Sequence, residues 1–148
     1  MRMKCNEMVD TIGFTIICTG KMLIKNINSA FATLNLEITF EQMGVLYFLS
    51  KNEGKEMIQQ DIANLLNKTK SAALRTINIL EEKKYLKRTS SNEDLRKNII
   101  QLTQEGRHVI TKMHKKFLEL DLDLNENITK DESDMCKTAL LKIQSNCN

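Results

Sequence analysis

Proline and tryptophan are absent from this 148-residue chain, and glycine occurs only five times. Because Pro and Gly punctuate tight turns, their scarcity argues against a turn-rich β fold and for long helices. Cys5, Cys18, Cys136 and Cys147 are scattered, with no C-x-x-C pair and no histidine at ligand spacing. Neither a disulfide framework nor a zinc site fits that pattern, so no metal and no cofactor are expected. His108 and His114 lie off any ligand spacing for one helix face and read as surface or interface residues. Long apolar runs are missing as well. The uncharged stretch Thr11 to Gly20 is too short to cross a bilayer, and Glu7 and Asp10 spoil a signal-peptide reading, so a cytoplasmic protein with no membrane partner is expected. There is no phosphate-cradling glycine loop, no G-x-S-x-G, and no convincing Cys/His or paired-carboxylate constellation. An enzyme is not expected.

The chain is long enough for one domain with a real core and too short to expect two. Its formal charge of +3 says little by itself, but the charge is unevenly placed. Between Met57 and Thr103 there are nine Lys/Arg (68, 70, 75, 83, 84, 87, 88, 96, 97) against five Asp/Glu (61, 81, 82, 93, 94). The remainder carries thirteen basic and fourteen acidic residues, so the whole positive excess sits in the middle third. Such a segment suits a surface that faces phosphates.

Met8, Ile12, Ile16, Leu23, Ile27 and Phe31 fall at spacings of four and seven and predict one stripe of a helix from about Met8 to Leu34. Thr39-Phe40-Glu41-Gln42 is a capping box that opens a second helix, ending near Asn52 to Gly54. A short third helix covers Gln59 to Leu66, with Ile62, Ala63, Leu65 and Leu66 apolar. A fourth follows from Thr69 to Lys83, with Ala73, Ile77 and Leu80 inward. The period then changes. Tyr85 to Thr89 and Arg96 to Leu102 read as two strands around a polar tip at Ser90 to Glu93, with Asn98, Ile100 and Leu102 sharing one side. Leu102-Thr103 opens a fifth helix whose residues Ile110, Met113, Phe117, Leu120 and Leu124 repeat at heptad spacing. A second capping box, Thr129 to Glu132, starts a last helix with Met135, Cys136, Ala139, Leu140 and Ile143 expected inward.

Two short helices joined by a tight turn make a helix-turn-helix, whose second helix enters the major groove while the first steadies it. Ala63 permits close approach of the two helices, and Asn67 suits a left-handed turn. Between Lys68 and Asn78 there are three basic residues and no acidic one, where a carboxylate would be repelled by phosphate. Arg75 is suited to bidentate pairing with guanine, and Lys70, Thr69 and Ser71 to phosphate contacts. A solvated basic face on an ordinary helix pair is the competing reading of this segment alone.

The hairpin decides between them. The ordered set Thr39-Phe40-Glu41-Gln42, Ile62-Ala63, Lys70-Ser71, Arg75, Leu80-Glu81, Arg88, Asp94-Leu95-Arg96 and Leu102-Thr103-Gln104-Glu105-Gly106 resembles the MarR family of winged-helix regulators. The D-x-R wing tip and the L-T-x-x-G that opens the next helix match the family spacing without a gap. The resemblance implies a mostly α fold with a small β-hairpin wing, α+β in class: a winged helix-turn-helix flanked by long dimerisation helices. It implies a lobe over 37–103 and a helical dimerisation region over 5–36 and 104–146, within a single domain spanning 1–148.

By the same resemblance the partners are a pseudo-palindromic DNA operator and a second copy of the chain. The DNA-facing residues are then Lys68, Thr69, Lys70, Ser71, Ala72, Arg75, Asn78, Arg88, Asp94, Arg96 and Lys97. Arg96 would enter the minor groove, with Asp94 orienting it. The dimer contacts would come from Ile12, Ile16, Ile110, Met113, Phe117, Leu120, Leu140 and Ile143. A small aromatic or amphipathic effector relieving a repressor is the regulation the family suggests. Two residues depart from the pattern: Lys84 stands where a glycine is common after the recognition helix, and Lys68 where an apolar residue is common. A cysteine in the first helix senses peroxide in some relatives, which makes Cys18 a redox candidate and Cys136 its resolving candidate; a buried small hydrophobe is the commoner role. The rival to DNA binding is a winged helix used as a protein-interaction or assembly module.

Overall fold

The computed structural model describes residues 11–91 and 97–147. Six helices and one hairpin follow in order: α1 (Ile12–Ala32), α2 (Phe40–Lys51), α3 (Gln59–Leu66), α4 (Lys70–Glu82), β1 (Leu86–Ser90), β2 (Asn98–Leu102), α5 (Gln104–Leu124) and α6 (Lys130–Asn146). The chain divides into two compact units, one ending at His114 and the other beginning at Lys115.

After α1, whose N-cap Thr11 makes no side-chain capping bond, each helix that begins in the first unit starts where the local chemistry supplies a cap. The Thr39 hydroxyl accepts the Gln42 N–H at 3.2 Å, and the Gln42 side chain accepts the Thr39 N–H at 3.0 Å, so the expected box opens α2. Asn28 of α1 adds a tertiary bond by accepting the Phe40 N–H at 2.7 Å. At α3 it is Asp61 that reaches back, accepting the Ile58 N–H at 2.8 Å. The core gathers Ile27 and Phe31 of α1, Val45, Leu46 and Leu49 of α2, Ile62 and Ala63 of α3, and Ala73, Ile77 and Leu80 of α4. Leu86, Ile99, Ile100 and Leu102 of the hairpin and Val109 and Met113 of α5 complete it. Burying each large side chain of this set contributes about 1.5–3 kcal/mol.

The hairpin is antiparallel, pairing Leu86 with Leu102 and Ser90 with Asn98. The segment before α3 joins it: Ile58 bridges Ile99, and the Ile100 N–H donates to the Met57 carbonyl at 2.7 Å. This third line of pairing closes the outer edge of β2, and Ile100 and Leu102 share a buried side as expected. Asn98, at the loop end of β2, is exposed, and Ile99 is buried on the opposite side of the strand. On α3, Leu65 is 42% exposed and so falls outside the core expected of it.

A close approach explains the L-T-x-x-G sequence. The Thr103 hydroxyl accepts the Gly106 N–H at 3.0 Å, capping α5, and itself lies 2.7 Å from the Lys84 carbonyl and 3.0 Å from the Tyr85 carbonyl. A Cβ on Gly106 would sit 2.1 Å from the Tyr85 carbonyl oxygen, so only glycine lets the start of α5 lie against the end of the α4–β1 turn.

In the second unit the box at Thr129 is as expected. Its hydroxyl accepts the Glu132 N–H at 3.3 Å, while the Glu132 carboxylate accepts the Thr129 N–H at 2.8 Å and its hydroxyl proton at 2.7 Å. Those bonds hold the Glu132 carboxyl below its ordinary pKa, the side-chain bond from Thr129 being the larger cause and the backbone bond the next. The inward set expected on α6 is not buried. Met135, Cys136, Ala139 and Leu140 are exposed and Ile143 is half-buried, because the short helix pair of this unit is too small to enclose a core of its own. None of the described helices is long and apolar enough to cross a membrane.

Candidate nucleic-acid interface

The turn between α3 and α4 is built on one left-handed residue. Asn67 adopts φ 49° and ψ 47°, as its side chain tolerates. The Lys68 N–H then donates to the Ala63 carbonyl at 3.0 Å and the Asn67 N–H to the Asn64 carbonyl at 3.1 Å, closing α3 with a Schellman pair. Thr69 caps α4 by accepting the Ala72 N–H at 3.3 Å, and its hydroxyl lies 3.1 Å from that of Ser71. The Gln59 amide donates to the Lys70 carbonyl at 2.8 Å, which ties the first turn of α4 to the first turn of α3. The two helices thus meet in a fixed geometry, with Ala63 and Ala73 fully inside.

α4 turns Ala73, Thr76, Ile77 and Leu80 to the core and leaves Lys70, Ser71, Arg75 and Asn78 exposed on the other side, with Ala72 half-buried. No acidic residue interrupts α4 before Glu81. The positive end of the helix dipole adds to the cationic side chains near its N-terminus. Lys70, Arg75, Lys84, Lys87 and Lys97 form no ion pair among the described residues. Lys97, exposed, stands just before β2 at the loop end of the hairpin, where its carbonyl accepts the Ser91 N–H at 3.0 Å.

Other cations are already engaged, which the sequence did not reveal. Lys68 pairs with Glu41 at 2.6 Å and Lys83 with Glu37 at 3.2 Å, joining the helix-turn-helix to the first turn of α2 and to the α1–α2 connection respectively. Arg88, expected at the DNA, instead bonds to Glu81 with one guanidinium nitrogen and to Asn78 with the other. Its planar fork therefore fastens the root of the wing to α4, and the Asn78 carbonyl oxygen is committed to it. Of the expected DNA-facing residues, Lys68, Thr69, Lys70, Ser71, Ala72, Arg75 and Asn78 gather on and before α4, and Lys97 stands at the wing. Asp94 and Arg96 lie outside the described residues.

Glu56 and Ser91 form a further site that the sequence reading missed. The buried Ser91 hydroxyl lies 2.9 and 3.0 Å from the two Glu56 carboxylate oxygens, fixing the far end of β1 to the α2–α3 loop. Beside it an open cleft of about 900 Å³ is lined by Glu53, Glu56, Lys87, Gln101 and Arg107, with Arg107 paired to Glu53 at 2.8 Å.

The expected dimer residues divide. Met113 is fully buried within its own unit and offers no surface to a partner, because the heptad stripe turns inward over its first part. Ile110 and Ile16 are half-buried, and Ile12 is 66% exposed. In the second unit Phe117, Leu120 and Ile143 are half-buried and Leu140 is exposed. Cys18 is half-buried in α1, and Cys136 and Cys147 are exposed.

The family model for the transcriptional regulators SarA and Rot matches residues 30–113. The chain is 26% identical over 129 residues to the transcriptional regulator SarA of Staphylococcus aureus, covering 77% of this chain and 98% of SarA. It is 32% identical over 99 residues to the HTH-type transcriptional regulator PapX of Escherichia coli, a match spanning 67% of this chain and only 60% of PapX. Among solved structures, the repressor CouR of Rhodococcus jostii, bound to a 23-mer DNA duplex, superposes with a TM-score of 0.81 at 23% identity, covering 97% of this chain and 99% of CouR. The S. aureus MepR–DNA complex gives a TM-score of 0.75 at 22% identity over 93% of this chain and 97% of MepR. These likenesses confirm the winged-helix fold with its long flanking helices. With the family model spanning more than half of its length, the chain belongs to the SarA/Rot family of transcriptional regulators, whose winged helix is of the MarR type.

Proposed function

We propose that the chain binds duplex DNA sequence-specifically as a homodimer, with α4 in the major groove and the wing beside the minor groove, and acts as a repressor. The observation that carries this reading is the exposed face of α4. Lys70, Ser71 and Arg75 stand there with no acidic neighbour before Glu81, on a helix held rigidly by its buried side. Arg75 is the base-reading residue, Lys70, Thr69 and Ser71 position the backbone, and Lys97 and Arg96 serve the wing. The DNA complexes of MepR and CouR support DNA as the partner.

Exposed apolar side chains support the dimer: Ile12, Ile17, Met22 and Ile24 on α1, and Leu118, Leu122, Met135 and Leu141 in the second unit. A two-fold axis through such surfaces sets two recognition helices about 34 Å apart, one DNA turn, on a pseudo-palindromic site. Relief by a small amphipathic effector is the regulation we infer, in keeping with a CouR structure that holds p-coumaroyl-CoA.

Selection of bound sequences from a random duplex pool tests the proposal. A two-fold-related motif should emerge, and Arg75→Ala should relax base preference at one position in each half-site, at a cost of about 1–3 kcal/mol. A pool that never enriches, or an Arg75→Ala profile identical to that of the wild type, refutes it.

A further inference from the structure

The core side of α4 is complete with Ala73, Thr76, Ile77 and Leu80, yet Leu74 is 38% exposed on the outward side. Helical spacing places it beside Lys70 one turn before, Asn78 one turn after, and Ser71 three residues back. Between Lys70 and Asn78 it is thus the large apolar member of an otherwise polar and cationic exposed face. It also lies in the second turn of α4, near the end that leads a recognition helix to the base edges. Asn78 is in part withdrawn from reading bases, since its carbonyl oxygen is held by Arg88.

We propose that Leu74 is a specificity-determining residue that reads the 5-methyl group of a thymine in each half-site. The inference rests on the DNA-binding reading above and deepens it. The major-groove edge of duplex DNA offers one substantial apolar group, the thymine methyl, set among hydrogen-bond donors and acceptors. An exposed leucine among Lys70, Ser71 and Arg75 has no hydrogen bond to make, so a polar edge opposite it would be desolvated without a partner. A methyl there is buried at a gain. Discrimination then comes from both sides: attraction to thymine, and rejection of the bases whose polar groups would face the leucine.

Replacing thymine by uracil removes the methyl group and leaves every hydrogen-bonding atom in place, so it isolates this contact. Duplexes selected by the wild-type protein are resynthesised with uracil at one thymine position at a time, symmetrically in both half-sites, and affinities are read by fluorescence anisotropy. At one position the wild type should lose about fourfold per methyl removed. Leu74→Ala should bind the thymine and uracil forms equally, and Leu74→Met, which conserves volume, should keep most of the preference. Ile79→Ala, a change at another exposed apolar residue of α4, should leave the methyl dependence as in wild type. Wild-type indifference to uracil at every position, or an unchanged methyl preference in Leu74→Ala, overturns the inference while leaving DNA binding intact. Failure to bind any duplex overturns the functional reading, and this inference with it.

Discussion

Alanine in place of Gly106 isolates one close approach between the wing and α5. Its Cβ would stand 2.1 Å from the Tyr85 carbonyl oxygen and 2.8 Å from Leu102 Cδ1, while ordinary contact begins at 3.4 Å. The junction must therefore open by more than an ångström on its backbone side. Leu102 is buried and cannot simply swing away. Opening also stretches the bond from the Thr103 N–H to the Tyr85 carbonyl, now 3.1 Å, and that from the Thr103 hydroxyl, now 3.0 Å. Overpacking of this kind costs about 1–3 kcal/mol, and the weakened bonds add about 1 kcal/mol. The helix propensity of alanine returns less than about 1 kcal/mol. A net loss of about 2–3 kcal/mol follows, which at about 2–4 °C per kcal/mol for a chain of this size lowers the melting temperature by roughly 5–10 °C. The same substitution at Gly44, inside α2 with nothing within 4 Å of its would-be Cβ, should instead stabilise by about 0.5–1 kcal/mol. Circular dichroism melts at one fixed protein concentration measure both. A Gly106→Ala protein that melts at or above the wild type, or a Gly44→Ala protein that falls alongside it, refutes the reasoning.

Lys84 holds φ 61° just beyond α4, with the Tyr85 N–H bonded to the Leu80 carbonyl at 2.9 Å, so a lysine occupies the left-handed position of a Schellman motif. Lys84→Gly removes that strain and should gain about 0.5–1 kcal/mol in chemical denaturation, after the greater freedom of glycine in the unfolded chain is set against it. Arg88→Ala strips Glu81 and Asn78 of their shared partner and should cost about 1–2 kcal/mol, and Arg88→Lys should not restore it, since a point charge cannot span both acceptors. The folded-state pKa of Glu132 is lowered, so the stability its bonds contribute is present above the ordinary carboxylate value and is lost as pH falls through the folded one. Thr129→Val, which deletes the hydroxyl bond, should move the Glu132 titration back up when followed by NMR; an unmoved titration contradicts the assignment of its cause.

Periodicity carried most of the helical architecture into view. α3 runs from Gln59 to Leu66 as the apolar pattern and the Asn67 turn require, and the boxes at Thr39 and Thr129 open α2 and α6 where expected. What periodicity does not encode is which partner a side chain finds. Lys68 with Glu41 and Lys83 with Glu37 are joined only by the tertiary fold, so the cationic segment looked more available than it is. Arg88 was a conspicuous cation whose carboxylate and amide partners lie three residues apart, about one turn, on α4. The heptad stripe of α5 gave no hint of where one chain's own core ends: Met113 belongs to it, and so does Val109, which falls outside the stripe. The burial of Ile99 was not legible, because the two-residue approach to α3 that pairs with it is too short to carry a strand pattern of its own.

The claim on which the account depends is that this cationic helix and its wing grip duplex DNA. Anisotropy titration of the intact protein against its selected duplex, repeated from about 50 to 200 mM salt, measures that grip directly. If roughly six phosphates are neutralised by the two copies, affinity should fall by about a thousandfold across that range, along a straight line in logarithmic coordinates. Affinity that ignores salt, or no complex with any duplex at the lowest concentration, contradicts it.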